Sequence, residues 1–168
     1  MKTYRVIILM LFFSSCSVVQ KTVEVDIRPM AVETFLQKPF GHRESIEDFK
    51  KSMPEGTRIQ KLIKRNPRPY HKPDTIYNFL YKKSKVSIYK TQFSQEFLLG
   101  GSVRNDQIEL ANGIRKGMTK SQFYQSFTNL DLSQKDSITL KEPNIGRTAN
   151  FYFNRKGKLE RFTFTGKS

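Results

Sequence analysis

The chain has 168 residues, with 30 basic side chains against 15 acidic ones and a formal net charge of +15. Its length suits one domain or two small repeats that share a core. A composition with 14 Phe and 7 Tyr is too apolar for a disordered tail. One cysteine excludes an internal disulfide and a thiolate-rich zinc site, and two histidines leave little for metal chemistry. We therefore predict a small globular protein with no metal and no cofactor.

The first fifteen residues have the pattern of a removable leader. Lys2 and Arg5 precede an apolar run over 6–13, and two serines follow it, which is typical of a secretory signal peptide. The run is too short to span a bilayer, which needs about 20 residues. We predict a signal peptide over 1–15 and a tether over 16–30. Because the leader carries two basic residues and no acid, the rest of the chain keeps a charge of +13.

The first predicted helix begins at Ser45, a residue type that caps helices, with Asp48 three positions later. Phe49 and Met53 follow at a spacing of four and form its apolar face. A Pro-Glu-Gly sequence then ends the helix.

Strands are predicted to follow this helix. Residues 57–64 fit either a helix face or strand alternation, and we favour an edge strand protected by its lysines. Residues 75–81 and 86–91 flank a Lys-Lys-Ser-Lys turn and predict a hairpin. Residues 96–103 and 107–110 have the pattern of two further strands, and the paired glycines in the first of them indicate a bulge or bend.

The second predicted helix begins at Thr119, where Gln122 completes a capping box. Phe123 and Phe127 repeat on one face, and the helix is predicted to end near residue 128 or 129. A short strand over 138–141 follows it.

A second hairpin closes the chain. Residues 149–153 and 159–165 flank an Asn-Arg-Lys-Gly turn, in which the glycine can take a positive φ. The phenylalanines of each strand lie at alternate positions and share one face.

The two halves are similar at an offset of about 74 residues. Each has a capped helix followed by a hairpin, with matching pairs Tyr77/Phe151, Phe79/Phe153 and Ile88/Phe162. We predict an α+β fold over 31–168, in which two tandem helix-plus-antiparallel-hairpin repeats, about 31–105 and 106–168, form a sheet with helices packed on one face. The alternative is a coincidence between two helix-then-hairpin segments.

The apolar run ends at the only cysteine, in the order Phe13, two serines and Cys16. This resembles the lipobox of bacterial lipoproteins, although Leu usually stands where Phe13 does. The resemblance implies that cleavage leaves Cys16 first and lipidated, with acyl chains such as palmitate that contribute about 0.8 kcal/mol per buried methylene. It implies a cell-envelope location, at the outer membrane facing the periplasm, because no acidic cluster follows the cysteine. The alternatives are an ordinary secretory leader and an uncleaved anchor.

The segment NGIRKGMTKSQF, at 112–123, resembles the Gly-Met-Thr helix start of the SmpA/OmlA (BamE-type) outer-membrane lipoproteins. The duplicated unit is also similar to that of β-lactamase inhibitor protein, and the chain resembles uncharacterised envelope lipoproteins. The Leu-Gly-x-Pro ending of the first group is missing, and Phe-Thr-Asn-Leu stands at 127–130. The resemblance implies a fold and an envelope location, and it implies no place in the outer-membrane assembly machinery.

No catalytic residue and no metal ligand is predicted. His42 and His71 have no carboxylate or third histidine at ligand spacing, so both are interpreted as loop residues. Glu44, Glu47 and Asp48 are interpreted as solvated acids near a helix start, where the helix dipole favours them. An enzyme with an unrecognised site is the remaining alternative.

A basic tract lies between residues 56 and 95, with ten basic residues, one acid and four tyrosines. In a cytosolic protein this pattern would indicate nucleic acid, but an exported protein meets envelope anions instead. We expect the membrane as partner through lipid on Cys16, an acidic envelope protein or an anionic lipid or polymer, and no nucleic acid. A solvated face that aids solubility is the alternative. The predicted patch consists of Arg58, Lys61, Lys64, Arg65, Lys82, Lys83 and Lys85.

These features predict a non-catalytic, lipid-anchored cell-envelope protein that acts as a binding or scaffold module. The alternative is a structural lipoprotein that associates with anionic membrane or wall polymers through the basic tract.

Overall fold

The computed structural model describes residues 27–64, 73–132 and 135–166. The fold is mixed α+β, as predicted, with one seven-stranded antiparallel sheet in the order β1-β2-β3-β4-β7-β6-β5. The strands are β1 Arg58–Lys64, β2 Asp74–Tyr81, β3 Ser84–Lys90, β4 Glu96–Val103, β5 Ser137–Glu142, β6 Arg147–Phe153 and β7 Leu159–Thr165. The described helices are short: α1 Val32–Gln37, α2 Ile46–Ser52 and α3 Lys120–Gln125.

The sheet consists of two meanders that meet at β4 and β7. Strands β1 to β4 each pair with the next in sequence, as do β5 to β7, and the β4–β7 pairing joins the two sets. The predicted bulge lies in β4, because Ser87 pairs with Gly100 while Ile88 pairs with Leu98. A Cβ at Gly100 would stand 2.8 Å from the Phe164 carbonyl oxygen, so the close β4–β7 contact requires a residue without a side chain.

One face of the sheet carries the core. Phe79, Val86, Gly101, Phe164 and Ala149 stand in register across five neighbouring strands and point the same way. All three helices pack on this face through aromatic contacts: Phe35 of α1 with Phe151 and Phe164, Phe49 of α2 with Phe79, and Phe123 of α3 with Phe151 and Phe153. This agrees with the predicted placement of helices on one face.

The predicted helix caps are confirmed. The Asp48 amide donates to Ser45 Oγ (3.1 Å) at the start of α2. At the start of α3, the Gln122 amide donates to Thr119 Oγ1 (3.2 Å), and the Thr119 amide donates to Gln122 Oε1 (2.8 Å). These bonds satisfy backbone amides that lack a partner within the helix.

The predicted end of the second helix near residue 128 is wrong, because α3 stops at Gln125. The chain leaves the helix to pair with the N-terminal segment: the Met30 amide donates to the Ser126 carbonyl (3.2 Å), and the Thr128 amide donates to the Met30 carbonyl (3.1 Å). Phe127 is buried, as predicted, but it lies beyond the helix. Met53 likewise lies just after α2 and is only half-buried.

Three other local predictions need correction. Residues 107–110 form no strand, because Asn105 Oδ1 accepts the amides of Gln107 and Ile108 (3.0 Å each) and turns the chain. The first hairpin turn contains only Lys82 and Lys83, since β3 already begins at Ser84. Helix α1 was not predicted, and it has no side-chain cap to mark its start. The edge strand predicted over 57–64 is confirmed as β1.

Candidate binding surface

The face of the sheet opposite the described helices is the candidate site, and we call it the open face. Its side chains alternate with the core residues along each strand. The members in the two meanders are Arg58, Gln60, Leu62, Lys64, Asp74, Ile76, Asn78, Leu80, Lys85, Ser87, Tyr89, Phe97, Ser102, Ser137, Thr139, Lys141, Thr148, Asn150, Tyr152, Arg161, Thr163 and Thr165. They are a mixture of polar, charged, aromatic and aliphatic side chains, in contrast to the phenylalanine-rich core face.

Hydrogen bonds between neighbouring strands order the polar side chains of this face. Ser87 Oγ donates to Asn78 Oδ1 (2.7 Å) in the first meander. In the second, Thr139 Oγ1 donates to Asn150 Oδ1 (2.8 Å), and Asn150 Nδ2 lies 3.5 Å from Thr163 Oγ1. Asn78 and Ser87 are buried, so their bond stabilises the sheet. The Thr139–Asn150 bond is exposed, and it is the ordered donor and acceptor pair that a partner on this surface would meet.

An apolar and aromatic stripe crosses the first meander. Leu62, Ile76, Tyr89 and Phe97 are cross-strand neighbours in β1 to β4, and the Tyr89 and Phe97 rings lie 5.2 Å apart. The Tyr89 hydroxyl donates to Asp74 Oδ2 (2.6 Å). This bond, together with the Gln92 amide, holds the pKa of Asp74 below its usual value, and the same carboxylate raises the pKa of Tyr89.

The structure brings the predicted basic patch together only in part. Arg58 and Lys85 flank Leu80 in one cross-strand row of the open face, and Lys83 lies in the adjoining turn. Lys61 lies on the opposite face, with its ammonium 5.8 Å from the centre of the Tyr77 ring. Lys64 opposes Asp74 at the other end of β1, about 20 Å from Arg58 at about 3.3 Å per residue.

Lys82 and Arg65 complete the predicted set. The Lys82 ammonium donates to Gln107 Oε1 (2.8 Å) and lies 5.1 Å from the centre of the Tyr81 ring, so it is held against a loop of the helical layer. Arg65 lies outside the described residues. The prediction of one continuous basic patch is therefore wrong in its extent, because alternate residues of a strand point to opposite faces.

Sequence reasoning missed the stacked pair in the second meander. The Arg161 guanidinium lies 4.0 Å from the centre of the Tyr152 ring, and the two residues are direct cross-strand partners. The available signal was the alternation of polar residues with the core phenylalanines in β6 and β7. Arginine stacked on an aromatic ring is a common recognition element, since it keeps its N–H donors free at the edge.

The interpretation of Glu44 as a solvated acid is wrong. Arg147 Nη1 lies 2.6 Å from Glu44 Oε1, both side chains are largely shielded from solvent, and the Leu98 amide donates to Glu44 Oε2 (2.9 Å). Arg147 also donates to the carbonyls of Leu36 (2.8 Å) and Gln37 (3.1 Å) at the end of α1. This ion pair serves to join α1, β4 and β6.

Glu47 agrees with the interpretation of a solvated acid, whereas Asp48 and Glu96 have structural roles. Glu47 is exposed and pairs with Lys50 (2.7 Å), while Asp48 accepts a bond from Ser45. Glu96 accepts bonds from Lys90 Nζ (2.7 Å) and the Ile46 amide (2.8 Å). Burial alone would raise the pKa of Glu96, but these bonds lower it overall, and the carboxylate raises the pKa of Lys90.

The predicted loop histidine His42 packs on the Phe49 ring, with ring centres 4.7 Å apart, and its Nδ1 lies 2.7 Å from the Arg43 carbonyl oxygen. His71 lies outside the described residues. Across 27–64, 73–132 and 135–166, no group of three or more His, Cys, Asp or Glu side chains is placed to hold a metal ion. Within the same ranges no helix is long and apolar enough to cross a membrane.

In comparisons with known proteins, the chain matches no family model, no curated protein sequence and no solved structure at a significant level.

Proposed function

We propose that this chain is a non-catalytic binding or scaffold module, anchored in the cell envelope by lipid on Cys16, and that the open face is its binding surface. The observation that carries the proposal is the asymmetry of the sheet. One face buries the core beneath the described helices, while the other presents the Thr139–Asn150 hydrogen bond, a stripe of aromatic and apolar side chains and the Arg161–Tyr152 stack. Aromatic and arginine side chains are the residues that dominate protein interfaces.

We also propose that the two halves are tandem repeats. Each half has a side-chain-capped helix followed by a meander whose alternate residues face the same core. The pairs matched in the sequence, such as Phe79 with Phe153, lie on the core face in both halves. The first half has one more strand than the second, so the proposed repeat unit is a helix with three strands.

The test is a pull-down of the whole chain from detergent-solubilised envelopes with two matched variants. Ser102→Arg places a long charged side chain on the open face, whereas Ser121→Arg makes the same change on the exposed side of α3. We expect a stoichiometric partner that is lost with Ser102→Arg and retained with Ser121→Arg. Equal retention by both variants, or no stoichiometric partner, would contradict the proposal.

A second candidate function is association with anionic membrane or wall polymer. Arg58, Lys83 and Lys85 are exposed, lie near one end of the open face and form no ion pair within the described ranges. Each basic side chain near an anionic membrane contributes about 1 kcal/mol, and salt screens this over a Debye length of about 8 Å.

Co-sedimentation of the chain without its lipid, with anionic and neutral vesicles at low and physiological salt, tests this candidate. The variant replaces Lys82, Lys83 and Lys85 with Gln. The control makes the same replacement at Arg155, Lys156 and Lys158, which lie at the turn between β6 and β7. A membrane role predicts salt-sensitive binding to anionic vesicles that only the first variant weakens, and binding indifferent to both salt and this variant would exclude it.

A further inference from the structure

We propose that the free edge of β1 takes up an acidic, extended polypeptide segment as an additional antiparallel strand. This inference rests on the proposed binding function and adds the place and the mode of recognition. Strand β1 pairs with β2 over all seven residues without a register shift, from Arg58 with Leu80 to Lys64 with Asp74. Its other edge has no strand partner among the described residues, so its outward N–H and C=O groups can pair with a second chain.

The side chains of β1 are more exposed than those of an ordinary edge strand. All seven residues are exposed, and Ile59 (40%), Leu62 (44%) and Ile63 (60%) are among the largest exposed apolar side chains. Ile59 and Ile63 lie on the helical side of the sheet, while Leu62 lies on the open face. The strand thus extends beyond the helical layer and offers apolar contacts on both faces.

The opposite edge of the sheet shows the contrast. In β5 the side chains Ile138 and Leu140 are buried, and α1 packs against this strand. Lys141 and Glu142 balance each other in charge. Strand β5 is therefore covered on one face and neutral, whereas β1 is uncovered on both faces and carries three cations with no acid.

Charge selects the occupant of the β1 edge. In an antiparallel pairing of two β1 strands centred on Lys61, the two Lys61 residues would oppose each other, and each Arg58 would oppose Lys64. Like charges directly opposite destabilise a strand pair, so this edge disfavours a second copy of the chain. An incoming strand with acidic residues opposite Arg58, Lys61 and Lys64 would turn these three repulsive interactions into attractive ones.

The register of β1 specifies the occupant in more detail. An antiparallel strand read from the position opposite Lys64 to the position opposite Arg58 needs an acid at its first, fourth and seventh residues. Apolar residues at its second, third and sixth positions would contact Ile63, Leu62 and Ile59. The peptide Glu-Val-Leu-Glu-Thr-Val-Glu, with blocked ends, meets these conditions. The control is the same peptide with every Glu replaced by Lys, which keeps the apolar residues unchanged.

Binding of fluorescent forms of both peptides to the whole chain in neutral detergent is the first test, read by anisotropy. We expect the acidic peptide to bind at least about tenfold more tightly than the basic one, with affinity that falls as salt rises. Equal affinities of the two peptides would overturn the role of charge.

The second test uses N-methylation to identify strand pairing on the unaltered protein. In an antiparallel strand, alternate residues direct their N–H groups toward the partner. Methylation of the odd-numbered peptide residues and methylation of the even-numbered ones should therefore differ in effect, with one set weakening binding at least about tenfold and the other leaving it nearly unchanged. Equal effects of the two sets would overturn the added strand.

A charge-reversed protein completes the design. Arg58→Glu, Lys61→Glu and Lys64→Glu together should exchange the preference toward the basic peptide. The matched control is Lys116→Glu, Arg155→Glu and Lys156→Glu, at exposed positions outside β1, and it should keep the acidic preference. Circular dichroism of both variants checks the fold.

The outcomes also separate this inference from the proposed function. A partner lost with Ser102→Arg, in a chain that shows no acidic-strand binding, would leave the open-face function and refute the β1 edge. A wild-type dimer in which the β1 amides are protected from hydrogen exchange, and lose that protection on dilution to the monomer, would show that a second copy occupies the edge, and would overturn the acidic occupant.

Discussion

Replacing Phe123 with alanine tests the packing of the helical layer on the sheet. The side chain has no solvent exposure, and its ring centre lies 4.7 Å from that of Phe151, 5.3 Å from that of Phe127 and 5.4 Å from that of Phe153. Truncation of a buried Phe to Ala costs about 3–5 kcal/mol. Aromatic pairs contribute about 0.5–1.5 kcal/mol each beyond area, so three such contacts place this site in the upper part of that range.

Urea unfolding followed by circular dichroism measures the cost. With a slope of about 2 kcal/mol per molar urea, a loss of about 4 kcal/mol lowers the midpoint by about 2 M. The matched control is Phe93→Ala in the turn between β3 and β4, where the ring is 76% exposed. Its expected cost is below about 0.5 kcal/mol.

Two results would refute this reasoning. A cost below about 1.5 kcal/mol for Phe123→Ala would mean that α3 does not seal the core. A cost for Phe93→Ala equal to that for Phe123→Ala would mean that burial does not distinguish the two rings.

The remaining predictions concern the anchor, a helix cap and the acid limit of stability. Radiolabelled palmitate should label the wild-type chain and should not label Cys16→Ser; equal labelling of both would contradict lipidation at this residue. Thr119→Ala should cost about 1 kcal/mol in urea unfolding, since the amide of the third residue of α3 loses its acceptor; no change would show that solvent replaces the cap fully. Because the pKa of Glu96 is lower in the folded chain than its ordinary value of 4.5, its ionised form stabilises the fold above pH 4.5, and this contribution disappears as the pH falls through the folded pKa. Glu96→Gln should therefore make stability less dependent on pH below 4.5, and an unchanged acid profile would be the contrary result.

Local sequence patterns predicted much of the fold. Alternating apolar residues located β2, β3, β4, β6 and β7 to within a residue or two, and the caps at Ser45 and Thr119 located two helix starts, because these signals lie within a few residues of each other. Where the α3 end and the 105–110 turn were predicted incorrectly, distant or side-chain partners decide the backbone path. Hydrogen bonds with Met30 pair the chain after Gln125 with the N-terminal segment, so the helix does not continue. Asn105 Oδ1 accepts two backbone amides that would otherwise bond to a neighbouring strand.

The candidate site was less predictable for the same reason. Alternation along β1 already separates Lys61 from Arg58 and Lys64, so the division of the basic patch between two faces was available from the sequence once β1 was taken as a strand. The β4–β7 pairing could not be predicted from the sequence, because it joins residues about 60 positions apart. That pairing brings Ser102 beside Thr163 and makes one continuous surface from the two meanders.

The Arg147–Glu44 pair has a consequence for how the chain reaches its native state. Arg147 connects to partners 103 and 111 positions earlier, at Glu44 and Leu36. Contacts of such long sequence separation carry a large loop-closure cost and slow folding. Because Arg147 connects α1 to a residue just before α2, a nascent chain that ends at residue 105 offers Glu44 the Leu98 amide but no ion-pair partner. The chain can complete its core only after β6 has emerged, which leaves the first half open to proteases and to wrong strand pairing until synthesis is nearly finished.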